Sequence, residues 1–406
     1  MTPVLSSNAF AYRPYLFYWL ARLFATFSIQ IVVVAIGWKV YDLTHDPLAL
    51  GYVGLIQFLP SLLLVFVTGT VADRFNRSRV IALCYLVQLL ATAVLLVLAT
   101  SGSALVWPIY AVLLAMGISR AFLAPALQSF VPNLVPREAL STAVSWVSSS
   151  WQVATIGGPV AGGLLYGVSE TAAFGTASAL YLGAIGLMLA LPAIARPASA
   201  RETAWQTVSA GFRYVFSNRV VLGAISLDLF AVLLGGAVAL MPVYASDILV
   251  LGPLGLGLMR AAPGVGAIVM AAWLARFPVK SGAGLKMFAG VAIFGVATLV
   301  FGVSRSAPLS IAMLALMGAG DMISVYVRET LIQLATPDEL RGRVSAVNMV
   351  FVGASNELGE FRAGSMAALI GVVPAVVFGG CGTMAVAAIW AAAFPELRRA
   401  ERLDGS

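Results

Sequence analysis

Long apolar segments with few charges recur along the whole chain, and they constrain its fold more than any other feature. About 20 helical residues cross a ~30 Å hydrocarbon core, because each residue advances the helix by 1.5 Å. Hydrophobic residues make up 61% of the 406 residues and charged residues 10%, whereas a soluble domain is about a quarter charged. The sequence therefore predicts an all-α integral membrane protein. The predicted spans are residues 14–41, 49–72, 80–101, 104–131, 140–168, 172–193, 219–248, 252–275, 284–303, 306–334, 344–372 and 374–394.

Basic residues are concentrated on alternate connections between these spans. If both termini are cytoplasmic, the inner loops hold nearly all of the loop Arg and Lys residues, and the outer loops hold only Arg305. This asymmetry predicts a multi-pass protein of the cell's inner, cytoplasmic membrane with both termini in the cytoplasm. It also accounts for the net charge of +7, so we expect a lipid bilayer as the surroundings and no nucleic-acid partner.

The two halves of the chain repeat each other weakly. The segment GLIQFLP, which begins at Gly54, recurs as GLMRAAP from Gly257, and LARLFA from Leu20 recurs as SLDLFA from Ser226. Such internal repeats are typical of transporters built from two parallel bundles around an axis along the membrane normal. We therefore predict two pseudo-symmetric six-helix bundles. The predicted parts are a first bundle at 1–193, a cytoplasmic linker at 194–218, a second bundle at 219–394 and a cytoplasmic tail at 395–406.

A short polar segment, GTVADRFNRSR, joins the second and third predicted spans. Its spacing of Gly69, Asp73, Arg74, Arg77 and Arg79 resembles the loop between helices 2 and 3 of the major facilitator superfamily. The resemblance implies that this loop gates the inner side of a transporter. An ordinary positive-inside loop is the alternative interpretation.

This segment departs from the family pattern at one position. Asn76 occupies a place where the family usually has Gly. Because Asn adopts a left-handed turn more readily than other non-glycine residues, we expect a turn there to be preserved.

The fifth predicted span contains a second signature. Gly158, Pro159, Gly162 and Gly163 resemble the Gly-Pro-x-x-Gly-Gly motif that the family's antiporters carry. Glycines allow a neighbouring helix to approach closely, and proline leaves a backbone carbonyl unpaired. The motif favours export, although a packing contact without influence on transport direction is also consistent with it.

Three further segments narrow the resemblance. WKVYDLT from Trp38, RAFLAPA from Arg120 and SNELGEF from Ser355 are similar to the bacterial branch that contains enterobactin exporters and macrolide-efflux-like proteins. The resemblance implies a secondary transporter that works by alternating access. It leaves the substrate open, since the branch exports varied molecules.

Charged residues inside the spans are candidates for proton coupling, because an ionisable group in hydrocarbon is costly unless it faces water or a partner. Arg22 and Asp228 occupy equivalent repeat positions with opposite charge, as do Arg120 and Asp321. We expect one or more of four acids to carry the proton: Asp228, Asp321, Glu357 and Glu360. We expect four arginines to act as their charge partners in the cavity: Arg22, Arg120, Arg260 and Arg362.

Alternatives remain for these charges. The acids could instead form fixed ion pairs between helices. Three residues, Lys39, Arg328 and Glu329, lie near predicted helix ends, where long side chains can extend to the interface. Glu357 and Glu360 share one helix face at a spacing of three residues, and Arg362 lies off that face.

The remaining cavity lining is predicted to be apolar with a few polar positions, which suits an amphipathic organic molecule. No cofactor and no metal site is predicted, and Cys84 and Cys381 read as small hydrophobic residues. The substrate-cavity candidates are Gln30, Gln57, Trp146, Trp151, Phe230, Asn348 and Asn356.

The sequence thus predicts a secondary active transporter, with proton-coupled export of a siderophore-like or drug-like molecule as the leading interpretation and a monomer as the expected state. An enzyme is disfavoured, since hydrolase, zinc-protease and phosphate-binding motifs are missing from the sequence. A proton-coupled importer of the same fold is the main alternative. A channel and a non-transporting receptor or scaffold are weaker ones.

Overall fold

The computed structural model describes residues 8–191 and 204–400, apart from 65–66, 69–70, 72–74 and 280. Twelve main helices, named α1 to α12, follow one another along this part of the chain. The first six are Arg13–Thr44, Pro47–Leu63, Arg77–Thr100, Trp107–Gln128, Arg137–Val168 and Glu170–Leu189. The last six are Arg219–Gly235, Gly252–Arg276, Ala283–Val303, Ala307–Ala335, Asp338–Ile370 and Val372–Ala393. The linker helix, Ala204–Ser217, lies between the two sets.

Nine helical segments within the described residues are long and apolar enough to cross a membrane. The other three main helices coincide with predicted spans but differ in length or polarity. The described part of helix α2 is apolar but shorter, at 17 residues. Helix α5 contains several serines, and α11 carries Glu357, Glu360 and Arg362. The all-helical membrane architecture is confirmed, while a count of twelve crossings stays a prediction.

The described chain forms two compact units. Unit 1 comprises the described residues within Met1–Leu43, Ile56–Arg201 and Pro253–Gly257. Unit 2 comprises those within Thr44–Leu55, Glu202–Gly252 and Leu258–Ser406. Unit 1 therefore includes the first turns of α8, and unit 2 includes about half of α2.

Unit 1 is organised around buried tyrosines on α1. The Tyr15 hydroxyl donates to the Ala143 carbonyl of α5 at 2.8 Å, and the Tyr18 hydroxyl donates to the Leu127 carbonyl of α4 at 3.3 Å. Both side chains are fully buried in the apolar core. Because a buried hydroxyl needs a partner, these bonds fix α1 against α4 and α5.

Unit 2 contains a broken helix. Helix α7 ends at Gly235, and the chain continues through Gly236 into short 3₁₀, α and π turns that end at Ile248. A Cβ atom at Gly235 would collide with the side chains of Thr383 and Phe294. Close packing therefore requires glycine at the end of α7.

Helices α9 and α10 of unit 2 approach each other through glycines. A Cβ atom on Gly290 would lie 2.7 Å from the Gly320 carbonyl oxygen, and a Cβ atom on Gly320 would lie 2.7 Å from the Gly290 carbonyl oxygen. Since real Cβ contacts are longer, neither helix has room for a side chain at this point.

The linker helix packs against α11 within unit 2. A Cβ atom on Gly211 would lie 2.6 Å from the carbonyl oxygen of Arg343, and the Phe212 ring lies 5.8 Å from that of Phe351. The Tyr214 hydroxyl donates to the carbonyl of Ala335 at the end of α10. The linker helix is thus a fixed part of unit 2.

The start of α3 differs from the expected left-handed turn. Asn76 has φ −66° and ψ 116°, so its backbone is extended, and its side chain accepts hydrogen bonds from the Ser78 N–H and hydroxyl at 3.0 and 2.8 Å. Asn76 is therefore the N-cap of α3, a role that asparagine fills well and glycine fills without a side-chain bond.

Candidate functional site

The predicted gating segment is described only in part. Gly69, Asp73 and Arg74 lie outside the described residues. Arg77, in the first turn of α3, donates to the Ser129 carbonyl at the end of α4 at 3.0 Å. This bond places a positive charge at a helix C-terminus, where the helix dipole favours it.

The glycine motif of α5 faces two helices of unit 1. A Cβ atom on Gly158 would lie 2.5 Å from the Cβ of Gln30 on α1, and one on Gly162 would lie 3.0 Å from the Cα of Ile31. On another face, a Cβ atom on Gly163 would lie 2.5 Å from the carbonyl oxygen of Pro253 in the first turn of α8.

Reciprocal contacts support the same packing. A Cβ atom on Gly257 of α8 would collide with the carbonyl of Pro159. Within unit 1 the motif therefore packs α5 backbone-to-backbone against the first turns of α8, Pro253–Gly257. Its relation to transport direction stays a prediction.

A pseudo-symmetric contact occurs in unit 2. Gly51 and Gly54 of α2 pack on α11, where a Cβ atom on Gly54 would lie 2.8 Å from Oε2 of Glu360. A Cβ atom on Gly364 would lie 2.7 Å from the Pro47 carbonyl oxygen. Gly54 corresponds to Gly257 in the sequence repeat, so both glycines of that repeat sit at close helix contacts.

The most enclosed charged cluster lies between α7 and α10. Asp228 forms an ion pair with Arg328, and their side chains are only 7% and 4% exposed. Nε of Arg328 lies 3.8 Å from Oε1 of the half-exposed Glu329, which accepts a hydrogen bond from the Asn348 amide at 2.8 Å. Arg328 is therefore a buried partner of Asp228, and the expectation that it extends to the interface is wrong.

Asp321 completes this cluster. It lies seven residues before Arg328 on the same face of α10, with Ser324 between them. Asp321, Ser324 and Asp228 line a small cavity of about 10 Å³, a volume that holds about one water. Asp321 interacts electrostatically with both Asp228 and Arg328.

The other predicted acids lie on α11. Arg260 of α8 interacts electrostatically with Glu360 and Glu357. Arg362 instead contacts the break in α7, where its Nη2 donates to the Gly236 carbonyl at 3.5 Å. A guanidinium thus binds a backbone carbonyl that the end of the helix leaves without an intrahelical partner.

Unit 1 places its predicted arginines differently. Nη1 of Arg22 donates to the Tyr18 hydroxyl at 3.1 Å, and within the described residues no carboxylate forms an ion pair with it. Arg120 lies seven residues before Leu127 on the same face of α4, which is the face bonded to Tyr18. A partly buried pair among the described residues of this unit joins Nζ of Lys39 to Oε1 of Glu170 at 2.7 Å.

Two predicted aromatic residues of the cavity are accessible in unit 1. Trp146 and Trp151 of α5 are 45% and 49% exposed. The Trp146 carbonyl accepts from the Trp19 indole at 3.1 Å, and its ring packs on Phe10 at 5.1 Å between centroids.

The remaining cavity candidates are distributed more widely. Gln30 donates weakly to Thr155 at 3.5 Å, and Gln57 contacts Gly117 through its backbone. Phe230 packs against Trp390 of α12, and Asn356 donates to its own helix. The described residues contain no group of three or more metal-binding side chains.

The comparisons with solved structures identify the fold. The fold is similar to a mutant of the peptide transporter POT, with a TM-score of 0.76, 13% identity and coverage of 96% of this chain and 95% of that one. It is also similar to the nucleoside transporter NupG, with a TM-score of 0.74, 12% identity and coverage of 94% and 100%. A third similar structure is a bacterial homologue of the iron transporter ferroportin, with a TM-score of 0.69, 16% identity and coverage of 95% of this chain and 98% of that one. These similarities show that the chain has the major facilitator fold.

The sequence comparisons give the family. The family described as "Transmembrane secretion effector" matches residues 6–405, and the chain belongs to it. Enterobactin exporter EntS of Shigella boydii serotype 18 is 25% identical over 381 residues, covering 94% of this chain and 91% of that protein. EntS of Shigella dysenteriae serotype 1 is 24% identical over 380 residues, with coverage of 93% and 91%. The resemblance to the enterobactin-exporter branch is thereby confirmed.

Proposed function

We propose that the protein exports a small to medium amphipathic organic molecule, such as a siderophore or a drug, in exchange for protons. The cluster of Asp228, Arg328 and Asp321 is the observation that carries this proposal. With both carboxylates ionised the three groups sum to one negative charge, and binding one proton makes them neutral. Because charge is costly in a poorly hydrated interior, the two protonation states favour different surroundings of the cluster.

Proton binding would act through the ion pair. When Asp321 is protonated, Asp228 is the ionised carboxylate of the cluster that pairs with Arg328, and this ion pair holds α7 against α10. When the proton leaves, Arg328 is shared between two carboxylates, and its neighbour Glu329 competes as well at 3.8 Å. A protonation step can therefore change the packing of these two helices.

The outward direction is supported by the relatives, which are named as exporters, and by the glycine motif of α5. Proton symport into the cell uses the same kind of cluster and differs only in the sign of coupling. The excess of Arg and Lys on the predicted inner loops supports the cell's inner membrane with both termini cytoplasmic. We propose that a monomer performs the cycle.

The substrate is expected to meet the accessible aromatic surface of Trp146 and Trp151, and Arg22 belongs to the same unit. Arg22 is available for a substrate oxygen because its described partner is the neutral hydroxyl of Tyr18. An aromatic surface with one cationic donor suits an amphipathic molecule that bears hydroxyl or acidic groups.

The test uses inverted membrane vesicles with an imposed pH gradient and a panel of siderophores, macrolides and cationic dyes. We expect at least one compound to accumulate only with the gradient, and Asp228→Asn or Asp321→Asn to abolish that accumulation. Glu396→Gln is the matched control, because Glu396 forms an exposed pair with Arg219. Its transport should equal that of the wild type.

Each other result has a definite meaning. Gradient-dependent accumulation that survives both amide variants would refute the cluster as the proton site. Accumulation without any gradient would refute proton coupling. Uptake found only in right-side-out vesicles would replace export by import.

A further inference from the structure

An apolar groove runs along unit 1 between α3 and α4, away from the charged clusters described above. Its volume is about 500 Å³, within the range of ligand pockets. Leu83 and Val87 of α3 form one wall, and Ile118 and Phe122 of α4 form the other. The groove is open to the outside of the unit, since Leu83 is 62% exposed.

One end of this groove is basic. Arg79, in the first turns of α3, lines the groove and is exposed, and it forms no ion pair with any residue that the structure describes. Arg77 is already bonded to the Ser129 carbonyl and Asn76 caps the helix. Within the part of the chain that the structure describes, Arg79 is therefore the side chain at this end that is available to an anion, and the positive end of the α3 dipole adds to the attraction.

The dimensions of the groove match one leaflet of a bilayer. From Arg79 to Val87 the groove follows α3 for eight residues, or about 12 Å, close to half of the ~30 Å hydrocarbon core. Its basic end lies on the predicted cytoplasmic side, where anionic lipids are concentrated and basic pockets between helices bind their headgroups.

We propose that this groove binds one anionic phospholipid, with an acyl chain between α3 and α4 and the phosphate on Arg79. The apolar walls exclude a polar ligand, and the exposed guanidinium of Arg79 selects negative headgroups. The lipid would contact the segment that joins α2 to α3 through Phe75 and Val71, which also line the groove.

Native mass spectrometry of the full-length protein, released from micelles that contain phosphatidylglycerol and phosphatidylcholine with equal 16-carbon chains, tests the proposal. We expect phosphatidylglycerol to be retained about fivefold more strongly, the factor expected of one arginine near a lipid surface. Arg79→Gln should abolish this preference. Arg137→Gln should not, because Arg137 is an exposed arginine in the first turn of α5, outside the groove.

A second pair of measurements tests the acyl chain. Ile118→Trp narrows the groove and should reduce the retention of both lipids. In a separate thermal unfolding measurement, the long-chain phosphatidylglycerol should stabilise the protein, whereas dihexanoyl phosphatidylglycerol and inorganic phosphate should not. Equal retention of the two long-chain lipids by the wild type would overturn the proposal without any variant. So would an unchanged preference in Arg79→Gln, or equal stabilisation by free phosphate.

A different occupant would also be recognised. An amphipathic cation such as a dye would bind more tightly to Arg79→Gln than to the wild type, and would displace both lipids. That result would refute the anionic lipid and identify the groove as a drug site.

Discussion

The buried pair of Asp228 and Arg328 allows a quantitative prediction. Arg328→Met removes the guanidinium and leaves the Asp228 carboxylate in a site where it is only 7% exposed. Breaking one side of a buried pair costs about 3–5 kcal/mol of unfolding free energy. No reduction for solvent screening applies, because neither partner is exposed enough for water to screen it.

A double variant distinguishes the loss of the ion pair from the cost of leaving Asp228 buried without a partner. Asp228→Asn with Arg328→Met removes both charges, and replacing a buried pair by neutral side chains is often close to neutral. We therefore expect the double variant to be less destabilised than Arg328→Met alone by about 2 kcal/mol or more. Glu329→Gln is the control, and its loss should stay below about 1 kcal/mol since Glu329 is 43% exposed.

The assay is denaturant unfolding in detergent micelles, followed by loss of helical circular dichroism. Equal losses of unfolding free energy in the single and double variants would refute the reasoning.

Three smaller predictions concern packing and local stability. Lys39→Met should lower the free energy of unfolding by about 1–3 kcal/mol, and adding Glu170→Gln should restore part of this loss in the same unfolding assay. Additive losses in the double variant would show that the two side chains do not stabilise each other. Gly235→Ala should lower the melting temperature through a clash that costs about 1–3 kcal/mol, whereas Gly342→Ala, with open space around it, should not; equal shifts would argue against the close contact. Arg77→Gln should speed amide hydrogen exchange at the end of α4, and unchanged exchange would show that its bond there contributes nothing.

Much of the helical architecture could be predicted because apolar length determines it directly. Each of the twelve predicted spans coincides with a main helix of the described residues, and local signals refine some boundaries. Ser169 and Asn218, for example, cap α6 and α7 through their side chains. These signals act over a few residues, so they can be read from the sequence alone.

The break in α7 could not be predicted, although its glycines are visible. Gly162 and Gly163 form a similar pair, yet they stay inside the continuous helix α5. The difference arises from distant packing, since Thr383 and Phe294 crowd Gly235, and Arg362 binds the carbonyl of Gly236. A glycine pair permits a break, and tertiary contacts decide whether it occurs.

The candidate site was predicted in part for a similar reason. Asp228 and Asp321 stand out as acids in apolar segments, and the structure brings both to one cavity. The position of Arg328 near the predicted end of its span instead favours a side chain that extends to the interface. Its position seven residues after Asp321, on the same helix face, was the available signal, whereas its pairing with a residue of α7 depends on the fold.

The contact of α9 with α10 limits how this family member can change over time. Gly290 and Gly320 each face the carbonyl of the other, so a side chain gained at either position needs space that its neighbour cannot yield. In most protein cores a larger side chain can be accommodated when the residue opposite becomes smaller, but glycine has no side chain that could become smaller. Mutational routes to new properties must therefore bypass this crossing, and variants selected for altered transport should retain both glycines while changing residues elsewhere.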